Sequence, residues 1–216
     1  MKTIAVIHNE YKEKFGVPRQ SGLAGDTVSE IVFEKEYRNE DALRGIEEYS
    51  HLWLIWSFSE NRDDKWRPTV RPPRLGGNKR VGVFATRSPY RPNAMGLSSV
   101  RLLEVKKTED RGAVLLVSGA DLMDGTPILD IKPYVKYTDC HEDAVCSFAD
   151  EFAEYRLEVS FECEADEKLK AQISKILAND PRPAYQKDEN RVYGASICGK
   201  EVKLRVGEKI TVISVK

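Results

Sequence analysis

The chain predicts a mainly β protein, with a closed or half-closed mixed β-barrel followed by a small α+β appendage. Three observations support this. Short apolar runs rich in Val, Leu and Ile recur through the first two-thirds, each bounded by Gly, Pro or Asp. Few helical patterns interrupt them, so the alternating signature of a doubly wound sheet is missing. Near residue 138 a polar, acidic stretch begins, and a strand, an amphipathic helix and three more strands follow it. Many short strands leave edges that attract unwanted pairing, and closing the sheet removes them.

Taken in order, residues 3–7 and 30–34 are apolar strands. Residues 41–49 show helical spacing at Ala42, Leu43 and Ile46, with Asn39 or Asp41 as N-cap. Residues 51–58 form a nearly continuous apolar run of strand length, expected to be central and buried on both faces. Further strands are expected at 81–86, 98–105, 113–117 and 128–132. Residues 139–154 read as a linker or surface helix, and 156–163 alternate as a strand. Leu169, Ile173, Ile176 and Leu177 share one face of a helix over 166–178. The stretch Asp180-Pro181-Arg182-Pro183-Ala184-Tyr185 breaks that helix, and strands at 191–197, 201–205 and 210–215 close the chain. The expected division is a barrel over 1–138, a linker over 139–154 and a small domain over 155–216.

An apolar content of 41% within 216 residues supports a real core, and charged residues at 32% are spread along the chain. The apolar run at the N-terminus is too short for a signal peptide. No stretch approaches the roughly 18–20 apolar residues needed to span a membrane, so a cytoplasmic protein is expected. Cys140, Cys146, Cys163 and Cys198 include no CxxC pair and read as ordinary small residues, without a metal site.

The net charge of −1 hides an asymmetry. Between Lys65 and Leu103 there is no Asp or Glu, while Lys65, Arg67, Arg71, Arg74, Lys79, Arg80, Arg87, Arg91 and Arg101 are all basic. An acid-free basic segment in a neutral protein fits a polyanion, most simply nucleic acid. Five prolines between Pro68 and Pro92 stiffen the same region, which suits a preorganised binding surface.

Other motifs are weaker. Gly22-Leu23-Ala24-Gly25-Asp26 lacks the third glycine of a dinucleotide fingerprint and precedes a strand. Leu75-Gly76-Gly77-Asn78-Lys79-Arg80 reads equally as a phosphate-binding nest or a tight turn. Asp121-Leu122-Met123-Asp124-Gly125 reads equally as a set of ribose contacts or a turn. None of His8, His51 and His141 sits in a nucleophile context.

Several phrases then line up in order. They are Phe15-Gly16-Val17-Pro18-Arg19-Gln20-Ser21-Gly22-Leu23, Ser50-His51-Leu52-Trp53-Leu54, the long run from Trp66 to Leu97, Asp124-Gly125-Thr126-Pro127, Asp130-Ile131-Lys132-Pro133-Tyr134 and the Asp180–Tyr185 stretch. Together they resemble the tRNA adenine N6-methyltransferases that modify threonylcarbamoyladenosine at position 37, just 3′ of the anticodon. Where that family typically has Arg-Pro-Asn-Pro-Ile-Gly, this chain has Arg91-Pro92-Asn93-Ala94-Met95-Gly96, which keeps Arg91, Asn93 and Gly96. The resemblance implies S-adenosylmethionine as methyl donor, a single-sheeted β-barrel, a homodimer, and the anticodon loop of a tRNA as substrate.

On that resemblance Pro18, Arg19, Gln20, Phe58 and Ser59 are expected to wall the donor pocket. Leu97 would pack on the adenine, while Asp121 and Leu122 would meet its ribose or amino groups. Arg87 would grip the donor carboxylate or the acceptor base, and Arg87 and Asn93 are the candidate catalytic residues. Arg71, Arg74, Lys79, Arg80 and Arg91 would face phosphate, with Arg182 and Tyr185 contributing from the appendage and Tyr90 or Tyr185 stacking on a flipped base. Two alternatives remain at this level: an RNA-binding barrel without chemistry, and a methyltransferase for a small molecule.

Overall fold

The computed structural model describes residues 1–23, 27–61, 65–75, 79–180, 188 and 191–216, with only the backbone at Arg74. The protein is mainly β. Six strands, β1 (Ala5–His8), β2 (Val28–Phe33), β3 (His51–Ser57), β6 (Met95–Thr108), β7 (Gly112–Ser118) and β8 (Pro127–Pro133), hydrogen-bond in the cyclic order β1-β2-β7-β6-β3-β8. The order returns to β1 because that strand pairs with β2 on one edge and β8 on the other, closing the barrel. Every pairing in the ring is antiparallel, so the expected mixed sheet is corrected. Of the neighbouring pairs only β6 and β7 are joined by a tight hairpin, which two strands can share only when antiparallel.

Strand β3 shows how the interior is built. Leu52, Leu54 and Trp56 are buried and alternate with half-buried residues, so the run is not buried on both faces as expected. Two of its outward residues, Trp53 and Ile55, are nonetheless apolar, and Trp53 packs on Tyr134 with ring centroids 5.5 Å apart and donates its indole N–H to Asp139 at 2.7 Å. The barrel core joins these three inward residues to Ala5, Ile7, Ile31, Val100, Leu115, Val117, Leu122 and Ile128.

Two local expectations fail for identifiable reasons. Residues 41–49 form two short 3₁₀ turns, Glu40–Leu43 and Ile46–Glu48, separated by Gly45 at φ 84°. That left-handed residue cannot continue a right-handed helix. Residues 81–86 give only the two-residue β5 (Val81–Gly82), paired with β4 (Thr69–Val70), before the chain coils into a turn at Val83–Ala85. Between β3 and β6 the chain therefore makes a basic, proline-rich excursion.

The second sheet has strand order β10-β11-β12-β9, built from β9 (Val159–Phe161), β10 (Val192–Ile197), β11 (Lys200–Val206) and β12 (Ile210–Val215). Strand β9 lies parallel to β12. The crossover carries helix α2 (Glu167–Leu177), which follows the short helix α1 (Lys136–Asp139) and the 3₁₀ turn at Ser147–Phe152. Asp166 caps α2 by accepting the N–H groups of Lys168 and Leu169 at 3.0 and 3.2 Å. Ile173, Ile176 and Leu177 are buried against the sheet. No helix among the described residues is long and apolar enough to cross a membrane.

Packing does not respect a boundary at residue 138. Tyr11, Phe15 and Val17 join the second core, and Phe15 stacks on Tyr193 at 5.7 Å between centroids. Asp124, in the β7–β8 loop, fastens that segment to the barrel. Its N–H donates to the Tyr11 carbonyl at 2.9 Å. Its carboxylate accepts the Asn9 N–H at 3.0 Å and pairs with Lys12 at 2.6 Å, with His8 Nδ1 at 3.5 Å. Burial alone would raise the Asp124 pKa, but the Lys12 and Asn9 hydrogen bonds and the nearby charges outweigh it and hold the group below its ordinary value.

Two predictions test this fold. A Cβ on Gly96 would sit 2.2 Å from the Trp56 ring, so Gly96→Ala should cost on the order of 1–3 kcal/mol, read as a lowered Tm. Asp124→Asn should lower stability at neutral pH by about 1 kcal/mol. Because the folded pKa is depressed, the wild-type advantage exists above the ordinary carboxylate value and fades as pH falls through the depressed one. Urea titrations should show a gap at neutral pH that narrows steadily as the pH is taken below the ordinary carboxylate value.

Candidate functional site

The antiparallel register brings the motifs to one rim of the barrel. The end of β3 faces the start of β6 at Ser57↔Met95, and the end of β7 meets the start of β2 at Ser118↔Val28. The loop from Gly119 to Thr126 therefore opens at the same end as Phe58 and Leu97. The segment following β1 joins it there, as the Gly22 N–H donates to the Gly119 carbonyl at 2.8 Å.

Asp121 stands at the centre of this rim, half-buried. Ser98, fully buried on β6, donates its hydroxyl to Asp121 Oδ1 at 2.5 Å and accepts the Trp56 indole N–H at 2.9 Å. Arg87 donates through Nη1 to Gln20 Oε1, and its positive charge acts on Asp121. Burial pushes the Asp121 carboxyl above its ordinary value, opposed by the Ser98 hydrogen bond, backbone hydrogen bonds at Asp121 and Ser21, and the Arg87 charge. The result is a carboxylate and a guanidinium close together at a partly dry barrel mouth.

Three of the expected donor-pocket residues, Gln20, Arg87 and Asp121, are thus brought together. Phe58 lines the same rim, its ring 4.3 Å from that of Trp56 between centroids, and its N–H extends the ladder to the Ala94 carbonyl at 2.9 Å. Leu97 points outward and is 54% exposed, available to a ligand. Ser59 is exposed at the end of the same strand, and Pro18 is buried.

Three residues are placed otherwise. Leu122 is 1% exposed within the barrel core, so its side chain cannot meet a ligand, and its carbonyl accepts from Asn9 at 3.0 Å. Arg19 aims away from Asp121, its Nε and Nη2 donating to the Asp180 carbonyl at 2.9 and 2.6 Å. Arg91 turns inward: Nη1 donates to the carbonyls of Val83 at 3.1 Å and Thr86 at 2.7 Å, and the guanidinium lies 5.4 Å from the Phe84 ring centroid. It braces the turn that carries Arg87 where a phosphate contact was expected.

Asn93 is exposed in the turn before β6, and its carbonyl accepts from the Met95 N–H at 2.8 Å. Arg71, Lys79 and Arg80 are exposed around the β4–β5 hairpin, where Arg80 also reaches Thr69 Oγ1 at 3.3 Å. The Arg67 guanidinium covers the Tyr90 ring at 4.4 Å, occupying one of its stacking faces. Arg182, Tyr185, residues 76–78, residues 24–26 and the Arg74 side chain lie outside the described residues.

Sequence reasoning missed Ser98 and Trp56 as parts of the site. A signal existed, because period-two alternation along β6 places Ser98 on the inward face with Val100. A lone polar residue facing a barrel interior needs a partner.

The chain matches the family model of the tRNA-methyltransferase O N-terminal domain over residues 6–140 and that of the TrmO C-terminal domain over residues 147–216. It is 43% identical over 215 residues to a tRNA (adenine(37)-N6)-methyltransferase of Escherichia coli (strain K12), covering 94% of this chain and 91% of that protein. It is 39% identical over 142 residues to a Pyrococcus abyssi protein described as a "probable S-adenosyl-L-methionine-binding protein", covering 66% of this chain and 71% of that one. The crystal structure of TrmO from Pseudomonas aeruginosa superposes with a TM-score of 0.79 at 32% identity, covering 100% of this chain and 96% of that one. With both of its parts matched and a full-length relative at this identity, the chain belongs to the tRNA-methyltransferase O family.

Proposed function

We propose that the chain is an S-adenosylmethionine-dependent methyltransferase acting on N6 of adenine 37 in tRNA, with threonylcarbamoyladenosine as the acceptor. We propose further that a single-sheeted barrel carries the donor at its rim, and that the protein acts as a cytoplasmic homodimer. The observation that carries this reading is the meeting of Gln20, Arg87 and Asp121 at the barrel mouth.

The chemistry of that rim fits the donor. S-adenosylmethionine, when bound, supplies a methyl group activated by its sulfonium, together with an amino-acid end and an adenosine end. A guanidinium suits the amino-acid carboxylate because it can donate to both oxygens at once. A half-buried carboxylate suits ammonium or hydroxyl donors. Leu97 and Phe58 offer apolar surface to a flat base. Orientation is the main contribution of such a site, because holding two reactants in near-attack geometry is worth roughly 7–11 kcal/mol. The exposed Arg71, Lys79 and Arg80 lie on the excursion between β3 and β6 that also carries Arg87. Phosphates held there would leave the anticodon loop beside the rim.

Calorimetric titration with S-adenosylmethionine separates this reading from an RNA-binding barrel without chemistry, for which no heat is expected. Arg87→Ala should raise the donor Kd about 10–100-fold, the size of a lost hydrogen bond to a charged group, and abolish methylation with Tm unchanged. Near-wild-type turnover would remove Arg87 from the site.

The basic residues should separate into two classes. Charge reversal at Arg71, Lys79 or Arg80 should weaken tRNA binding and reduce the slope of log K against log salt by about one per contact. Arg91→Ala should leave that slope unchanged and lower the Tm, because its guanidinium binds backbone carbonyls.

A further inference from the structure

We infer that Ser98 is a positioning residue that keeps Asp121 ionised and aimed across the rim at Arg87, by way of a hydrogen-bond chain whose direction Trp56 sets. The inference rests on the donor-site reading and deepens it.

The direction follows from what each group can do. The Trp56 indole is a donor and nothing else, so the Ser98 oxygen must be the acceptor at 2.9 Å. A hydroxyl carries one proton. With Trp56 occupying one lone pair, that proton is left for Asp121 Oδ1 at 2.5 Å. An ionised carboxylate accepts it. A protonated Asp121 that donated to Ser98 would leave two donors meeting at one hydroxyl, whose own proton would lose its partner. A carboxyl protonated on Oδ2 would still accept at Oδ1, but more weakly than the anion does, so the chain favours the charged form of a carboxyl that burial disfavours.

Trp56 has no freedom to reverse this. Its ring lies against Gly96, where a Cβ would come within 2.2 Å, and Phe58 packs on it at 4.3 Å between centroids. Ser98 is 1% exposed, so water does not compete for its hydroxyl. The groups facing Asp121 come from three elements: Ser98 from β6, Arg87 from the loop after β5, and Ser21 and Tyr11 from the segment that joins β1 to β2. Tyr11, pushed up to about 12 chiefly by burial, stays neutral across the useful pH range.

The test is the pH dependence of S-adenosylmethionine affinity, measured by calorimetry between about pH 4 and 7, where the donor's own amino group stays protonated. Wild-type affinity should fall on the acidic side as Asp121 takes up a proton. Ser98→Ala removes a hydrogen bond that lowers the Asp121 pKa, so its acidic limb should move up by about one pH unit. Ser98→Thr, which keeps the hydroxyl, should restore the wild-type limb. Asp121→Asn should remove the limb, and adding Ser98→Ala to it should change nothing further.

A Ser98→Ala limb that coincides with wild type, whatever its absolute affinity, overturns the inference while the donor reading stands. Absence of heat with the wild-type protein at every pH overturns both. Should Ser98→Ala fail to fold, Trp56→Phe carries the test, because it keeps an aromatic ring and removes the N–H. Its limb should move in the same direction, and a fixed limb overturns the inference.

Discussion

Trp56 can lie against strand β6 only because its cross-strand partner, Gly96, has no side chain. Much at the barrel mouth depends on that close approach. The indole fills the end of the barrel core, turns its N–H to Ser98, and gives Phe58 a ring to pack on. One missing methyl group therefore links core packing to the polar arrangement of the rim. Interiors are packed densely enough that such a contact cannot be relaxed by small shifts elsewhere.

The rim itself is an electrostatic compromise. Asp121 is buried enough to resist ionisation, yet Ser98, nearby backbone hydrogen bonds and the Arg87 charge favour the anion. Arg87 is in turn held by Gln20, and the turn that carries it is braced by Arg91 on two backbone carbonyls. The two arginines of one short motif thus do different work. Arg87 faces the site, whereas Arg91 makes the loop stiff enough for Arg87 to have a defined position. Preorganisation of this kind limits the reorganisation that binding would otherwise require.

The two hydrophobic cores are joined close to the same rim. Asp124 holds residues 9–12 to the barrel while the Tyr11 ring enters the second core. A few residues later Arg19 reaches across to the Asp180 carbonyl, just before the Pro181-Arg182 step. The segment that leads into the site thus contacts both parts of the chain.

Much of this was legible in the sequence, because strand periodicity and turn residues act locally. The apolar runs at Ala5, Ile31, Leu52 and Val114 are strands, and the helix at Leu169–Leu177 faces inward with the residues its spacing indicates. The acid-free stretch from Lys65 to Leu103 marked the excursion that carries Arg71, Lys79, Arg80 and Arg87. Family motifs pointed to Gln20, Arg87 and Asp121 without saying how they meet. The tertiary structure alone decided direction: Arg91 turns inward, Arg19 reaches the Asp180 carbonyl beyond helix α2, and Leu122 enters the core. It alone also brought Ser98 between Trp56 and Asp121, residues 42 and 23 positions away in the chain. Local sequence sets which residues are polar and which backbone shapes they allow. Which way a guanidinium or hydroxyl points depends on partners that only barrel closure brings within hydrogen-bonding distance.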